Sequence, residues 1–384
     1  MIQQKESHSF GIYVPTESLH VIPFFEALRH IWPFECIYFY TSESHDKERL
    51  KYGWLNAHAS HSCFITNENR HLLESIPILR LGVRDKDLIE RRLSRGLLTI
   101  YSSERWLKPP WGILRLFQPR FFRLCLSFVS FFKTGKFFYF PHGIHAARDM
   151  ARICGLFSGD IRCLLRAPCL TFQQVPCGEI YSALPMKYKT NRIRLWGYFV
   201  SEGLGVKHTS VTDRLRILYV GRLIRLKRVD TLIKAFNSLQ RYDASLTIVG
   251  NGPEEAHLKS TLNDMSRVEF LSFQSMETVR AYMRKHDVLV FTSNGREGWG
   301  AVISEALEEG MTVIGTQESG AAATLLPTDC QFHTGDWKRL SCMLERLCIL
   351  KARGELKGSS IGEWSAKSAA HHFAEFLKKE CLER

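Results

Sequence analysis

The chain has 384 residues, long enough for two or three domains. With 45% hydrophobic and 24% charged residues it has a globular composition, which excludes a disordered, collagen-like or small disulfide-stapled chain. The formal net charge of +13 is unevenly divided: residues 1–200 carry 27 Lys and Arg against 16 Asp and Glu, and residues 201–384 carry 25 against 23. A basic partner surface is therefore expected in the first half.

The polar opening MIQQKESHSF lacks a positive region followed by an apolar core, so no signal peptide is expected there. No run of about 18 apolar residues predicts a transmembrane helix. Ser9–Val14 and Ile37–Tyr40 read as strands around a helix at Ile22–His30. Further on, RDKDLIERR contains Asp85-Lys86-Asp87, which has the form of a metal-binding Asp-x-Asp. It lies in a charged helical pattern rather than at a strand end, so no metal is assigned to it.

Arg105–Phe140 is the most unusual segment, with seven Lys and Arg, nine Phe and no acid. Basic residues among aromatics suit an anionic membrane surface. They also suit a buried helix and strand with cations at the rim, or single-stranded nucleic acid. The pairing of the rings (Phe121-Phe122, Phe131-Phe132, Phe137-Phe138) favours the membrane surface over nucleic acid, which is not expected as a partner. Phe137–Phe140 reads as a third strand, with His142 and His145 just after it in PHGIH, and Leu170–Val175 reads as a fourth.

Gly197–Thr212, rich in Gly and polar residues, reads as a hinge. Beyond it, short β-branched runs alternate with helical patterns such as Val229–Leu239: Ile217–Val220, Leu246–Val249, Val268–Leu271, Val288–Phe291 and Thr312–Ile314. That alternation predicts a doubly wound parallel α/β domain. A helix pattern from Trp364 to Cys381 closes the sequence. Eleven scattered cysteines without a Cys-x-x-Cys predict reduced thiols in a cytosolic protein, not a zinc ribbon or disulfide framework.

In a parallel α/β sheet the loops after the strands form the ligand crevice. Gly221–Lys227 places Arg222 and Lys227 after a strand, two cations suited to a diphosphate. Gly250-Asn251-Gly252-Pro253 forms the next strand-to-helix turn, with the helix expected to begin at Pro253. Arg296-Glu297-Gly298-Trp299-Gly300 and then Glu305 place two acids, suited to neutral hydroxyls, across a loop–helix junction. The glycines there let backbone N–H groups approach an anion. Ser319–Ala323 supplies small residues at the following turn.

VGRLIRLKRVDTLIKAF, LTIVGNGPE, SNGREGWGAVISEALEEG and TVIGTQESGAA, in that order, resemble the retaining nucleotide-sugar glycosyltransferases of family four, the glycosyl transferases group 1. The opening YVPTESLHVIPFFEALR is similar to members acting in surface-polysaccharide assembly. The resemblance implies an α/β GT-B architecture, two Rossmann-like domains with parallel sheets facing a cleft. Residues 1–200 would be the acceptor-side domain, 201–365 the nucleotide-sugar domain, and 366–384 a helix packing back on the first.

It also implies roles. Arg222 and Lys227 would neutralise the leaving diphosphate, Glu305 would hold the ribose hydroxyls, and Glu297 would meet the transferred sugar. Gly221 and the amides around Gly298, Trp299 and Gly300 would approach sugar and phosphate, and Ser272-Phe273-Gln274 would border the base. His142, with His145 as second choice, would sit beside the donor sugar. Where many relatives have a Gly-Gly loop after the first strand, Pro15-Thr16-Glu17-Ser18 stands here, with Thr16 as a substitute donor contact.

The expected reaction is metal-independent retaining transfer, from a UDP-sugar in preference to a GDP-sugar, to a glycan acceptor that is lipid-linked. Nucleotide sugar is a co-substrate and no cofactor is expected. The expected location is the cytoplasmic face of an anionic membrane, as a peripheral protein. The alternatives are a GT-B nucleotide-sugar epimerase and a non-catalytic nucleotide-sugar or nucleic-acid binder.

Overall fold

Strand-forming runs in the first half pair side by side and in one direction. The computed structural model describes residues 8–42, 58–158, 177–178, 192–203 and 213–383. Its first sheet contains β1 (Phe10–Val14), β2 (Cys36–Tyr40), β3 (Ser62–Phe64), β4 (Ile78–Leu81), β5 (Leu98–Ser103) and β6 (Phe137–Pro141). They run parallel in the order β3-β2-β1-β4-β5-β6. Helices α1 (Ile22–Ile31), α2 (His71–Ser75), α3 (Lys86–Ser94) and α4 (Pro119–Phe131) lie in crossovers between strands, and α5 (Ile144–Ser158) follows β6. β1, β4 and β6 are buried along their whole length, as strands covered on both faces must be.

Three of these strands are additions to the sequence reading. β3 is a short edge piece, β4 is interrupted by Arg80, and β5 runs out into two serines, so none has a clean apolar pattern. The strand expected at Leu170–Val175 lies outside the described residues, as do positions 204–212 of the expected hinge.

α3 is fixed at both ends by polar contacts. Asp85 caps it, accepting from the Leu88 amide at 3.0 Å, and pairs with Arg70. Asp85-Lys86-Asp87 is thus a helix start. Arg92 is fully buried and donates to the carbonyls of Leu73, Ile76 and Leu98 at 2.6, 2.8 and 3.0 Å. It ties α2 and the two flanking strand starts into one block, and burial draws its pKa down to about 9.

The second sheet contains β7 (Leu215–Val220), β8 (Ala244–Val249), β9 (Val268–Leu271), β10 (Val288–Phe291), β11 (Thr312–Thr316) and β12 (Gln331–Phe332). The order β12-β11-β10-β7-β8-β9 is again parallel throughout. α6 (Val229–Asn237), α7 (Glu255–Ser260), α8 (Met276–Lys285), α9 (Ala301–Glu308), α10 (Gly320–Leu325) and α11 (Trp337–Ala352) accompany it. α6 turns Val229, Leu232, Ile233 and Phe236 onto Ile217, Leu246 and Ile248, a helical stripe meeting a strand face.

The last helix, α12 (Ala366–Leu377), lies against the first sheet's helices, not the second's. Its Phe373 ring meets Phe10 at 5.1 Å and Phe24 at 5.3 Å. Among the described residues two compact units result: those through Ser201 together with Glu363 onward, and those within Glu202–Gly362. Among the described residues the cysteines are free thiols, and no helix is long and apolar enough to cross a membrane.

Arg105–Phe140 divides into buried and exposed parts. Phe121, Phe128, Phe131, Phe132, Phe137, Phe138 and Phe140 belong to the core, so the ring pairs are mostly packing. Phe117, at 83% exposure, and Trp111, at 61%, face outward with Ile113, Leu114, Phe122 and Leu126. Arg115 is half-buried, held over the Phe121 ring at 4.3 Å and donating to the Trp106 carbonyl. Arg120 and Arg123 are exposed.

Candidate functional site

At the C-terminal end of the second sheet, successive loops are joined backbone to backbone. The Gly221 amide, at the end of β7, donates to the Val249 carbonyl at 3.0 Å. Gly250, after β8, donates to Leu271 of β9 at 2.9 Å. Leu223 donates to Asn251 at 2.8 Å and accepts from Glu254 at 3.1 Å. No side chain fits between these loops: a Cβ on Gly250 would lie 2.0 Å from the Gly221 oxygen, and one on Gly252 would lie 2.2 Å from the Leu223 oxygen.

This pairing corrects the helix start expected at Pro253. Residues 253–254 are spent on the turn that reaches Leu223, and α7 begins at Glu255. Asn251 extends the chain of loops, its Oδ1 accepting from the Phe273 amide at 2.6 Å.

Arg222 follows Gly221. Its side chain is exposed and makes no ion pair among the described residues. Buried Tyr219 donates its hydroxyl to the Arg222 carbonyl at 3.3 Å, and burial first, then the charge of Glu297, pushes that phenol well above its ordinary range. Tyr219 is therefore a neutral donor that shapes this loop.

Lys227 and Glu297, seventy positions apart, meet at 2.8 Å between Nζ and Oε2, each side chain about one-fifth exposed. The Lys227 ammonium also lies 5.7 Å from the centre of the Phe291 ring. Two further bonds fix its backbone: Thr292 donates its hydroxyl to the Lys227 carbonyl at 2.6 Å, and the Asn294 amide donates to Leu226 at 3.0 Å.

Gly298, Trp299 and Gly300 run from Glu297 to α9. Gly300 caps that helix at φ +92°, where a side chain would also meet the Phe291 ring at 2.9 Å. Trp299 is buried and donates from Nε1 to Ser304 at 3.1 Å. The Gly298 and Trp299 carbonyls accept from the amides of Gly320 and Ala321 at 3.0 and 2.8 Å, which joins the loop after β11 to the site. Glu305 is buried on α9.

Gly221, Arg222, Lys227, Phe273, Glu297, Gly298, Trp299, Gly300 and Glu305 thus all lie in or just after the loops that follow β7, β9 and β10. The roles of Asn251 and Gly320 as loop ties were not expected. Their signal in the sequence was only their place in glycine-containing turns.

Thr16 and His142 are in the other unit. The loop carrying Thr16 is held by Glu17, which is buried and accepts from the Ala59 amide at 3.0 Å. His142 stands just past β6, buried, its ring 4.6 Å from that of Tyr198. Burial, aided by Arg80, lowers its pKa to about 3, so the ring is neutral. Neither ring nitrogen has a hydrogen-bond partner among the described residues.

Two Rossmann-like α/β units with loops of this kind define the GT-B glycosyltransferase fold. Solved structures agree over nearly the whole chain: Anabaena HepE in complex with UDP has a TM-score of 0.59 at 13% identity, covering 98% of each chain. The lipopolysaccharide outer core galactosyltransferase WaaB has a TM-score of 0.54 at 16% identity, covering 96% of this chain and 99% of that one. Residues 204–348 match the model of the glycosyl transferases group 1.

A capsular polysaccharide biosynthesis glycosyltransferase, CapM of Staphylococcus aureus, is 24% identical over 220 residues, 51% of this chain and 55% of that protein. A GDP-mannose-dependent phosphatidylinositol monomannoside mannosyltransferase of Corynebacterium glutamicum is 29% identical over 174 residues, 41% of this chain and 46% of that protein. The matched part therefore spans about half the length of these relatives.

Proposed function

We propose that the protein is a retaining glycosyltransferase. It moves a sugar from a nucleotide diphosphate sugar, UDP in preference to GDP, to a lipid-linked glycan acceptor in surface polysaccharide or glycolipid synthesis. The observation that carries this reading is the meeting of Lys227 and Glu297 at the strand ends, with Arg222 exposed in the same loop as Lys227. The family match over residues 204–348 and the likeness to CapM support it.

In this scheme the diphosphate settles against Arg222 and Lys227, and negative charge grows on it as the glycosidic bond breaks. Fixed cations stabilise that charge without reorganising, and no metal is required for the purpose. Glu297, released from Lys227, accepts from sugar hydroxyls, and Glu305 accepts from the ribose. His142 remains the candidate beside the donor sugar, as a neutral hydrogen-bonding group and not a base.

The test is incubation with labelled UDP- and GDP-sugars and a bacterial lipid extract. Transfer of label into the lipid phase with matching release of nucleoside diphosphate is expected. An isomerised nucleotide sugar instead would favour the epimerase. Binding without turnover would favour the non-catalytic binder.

The outward apolar group around Trp111 and Phe117, next to Arg120 and Arg123, is read as the membrane-facing surface. Each basic residue at an anionic surface contributes about 1 kcal/mol. Arg120→Glu with Arg123→Glu should therefore lower binding to phosphatidylglycerol vesicles by on the order of 10-fold or more. Equal sedimentation with vesicles would reject this surface.

A further inference from the structure

Arg80 is a buried guanidinium with no acid paired to it among the described residues. It sits in the middle of β4, 4% exposed, and makes no ion pair among the described residues. Its one side-chain hydrogen bond runs from Nε to Ser102 at 2.9 Å. The aromatic rings of Phe24 and Trp196 lie 5.5 and 5.4 Å from its Cζ. The ionisable groups around it do not supply the missing charge. Burial pushes Tyr38, Tyr198 and Cys177 up, which leaves each of them neutral. Burial also lowers the Arg80 pKa to about 10, still cationic at neutral pH.

Two more polar groups of the same cluster are buried and have no hydrogen-bond partner among the described residues: Trp196 Nε1, an obligatory donor, and the His142 ring. Trp196 and His142 are joined by a backbone bridge, and the Arg80 charge acts on His142. A buried cation without an opposite charge and a buried indole N–H without an acceptor are costly unless something supplies them. The cluster lies at the C-terminal ends of β4, β5 and β6, where a parallel sheet binds ligands.

We propose that Arg80, Trp196 and His142 form an oxyanion subsite of the first unit, taking a single phosphate or carboxylate group of the substrate bound there. Arg80 offers its two free Nη groups as a fork, Trp196 adds one N–H, and neutral His142 adds one more donor. The first unit's ligand therefore carries an anion of its own. Naming that ligand the sugar acceptor rests on the transferase reading; the oxyanion site does not.

Thermal unfolding of the full chain tests this, with inorganic phosphate, acetate and chloride added at matched ionic strength. Phosphate can also reach Arg222 and Lys227, so the quantity read is the difference between wild type and Arg80→Met. The expected result is a melting temperature raised by phosphate, acetate or both in the wild type, with at least half of that rise lost in Arg80→Met. Phosphate alone would identify a phosphorylated substrate, and acetate alone a carboxylated one. Without added anion, Arg80→Met should melt at or above the wild type, because it removes an uncompensated buried charge.

Trp196→Phe keeps an aromatic ring but removes the indole N–H together with the five-membered ring that carries it. It should also weaken the response, which keeps the test decisive if Arg80→Met fails to fold. An undiminished response in both variants, or an equal effect of chloride on the wild type, would overturn the proposal. Nucleotide-sugar binding should persist in Arg80→Met. A chain that binds the anion but no nucleotide sugar would sink the transferase reading and leave the subsite standing.

Discussion

Lys227→Ala is expected to lower turnover of sugar transfer by on the order of 10²- to 10³-fold, about 2.7–4 kcal/mol of transition-state stabilisation. The ammonium is placed by its bond to Glu297 at 2.8 Å, by the Phe291 ring and by backbone bonds from Thr292 and Asn294. A cation fixed in this way acts most when the diphosphate gains charge, which is in the transition state. The loss should therefore fall on kcat more than on KM. The variant also leaves Glu297 as an unpaired negative charge near the diphosphate, so adding Glu297→Gln should recover part of the donor affinity. A rise in KM with kcat intact would mean that Lys227 only binds. Stability should change little, since a partly exposed pair of this kind contributes at most about 1 kcal/mol.

Gly252→Ala is expected to damage both stability and donor binding. Its Cβ would stand 2.2 Å from the Leu223 oxygen, a backbone atom that already accepts from Glu254. The overlap cannot be relieved by turning a side chain, so the two loops must part. Overpacking of this kind costs roughly 1–3 kcal/mol. Parting the loops would also move Arg222, one residue before Leu223, and the phosphate contact with it. Thermal melts and a nucleotide-sugar titration measure the two effects. A stable variant with unchanged donor affinity would show that the loop pairing does not position Arg222.

The second sheet was legible because its strands are short β-branched runs at regular intervals, most of them followed by a loop with glycine or paired charges. The pairing of Lys227 with Glu297 could be anticipated only as two residues in neighbouring strand-end loops. What could not be read was the reason for Gly250 and Gly252, which is a backbone oxygen belonging to another loop.

In the first half, β4 was hidden by Arg80, a charge in the middle of a strand. Arg105–Phe140 was read by composition, which does not say which side of a helix is wet. On α4, Phe121, Cys125 and Phe128 face inward and Phe122, Arg123 and Leu126 outward, so adjacent members of one aromatic-basic run have opposite fates. The grouping of Arg80, His142 and Trp196 had no local signal, since it depends on the order in which distant strands lie side by side.

The central claim is that the strand-end loops of the second unit hold a nucleotide diphosphate sugar through Arg222, Lys227, Glu297 and Glu305. Its most direct test is a thermal-unfolding panel of UDP-glucose, UDP-galactose, UDP-N-acetylglucosamine and GDP-mannose on the wild type and on Glu305→Ala. A ligand that binds the native state raises the melting temperature by mass action. A rise with at least one donor, a UDP-sugar first, is expected, together with its loss in Glu305→Ala. No rise with any donor, or an equal rise in the variant, would contradict it.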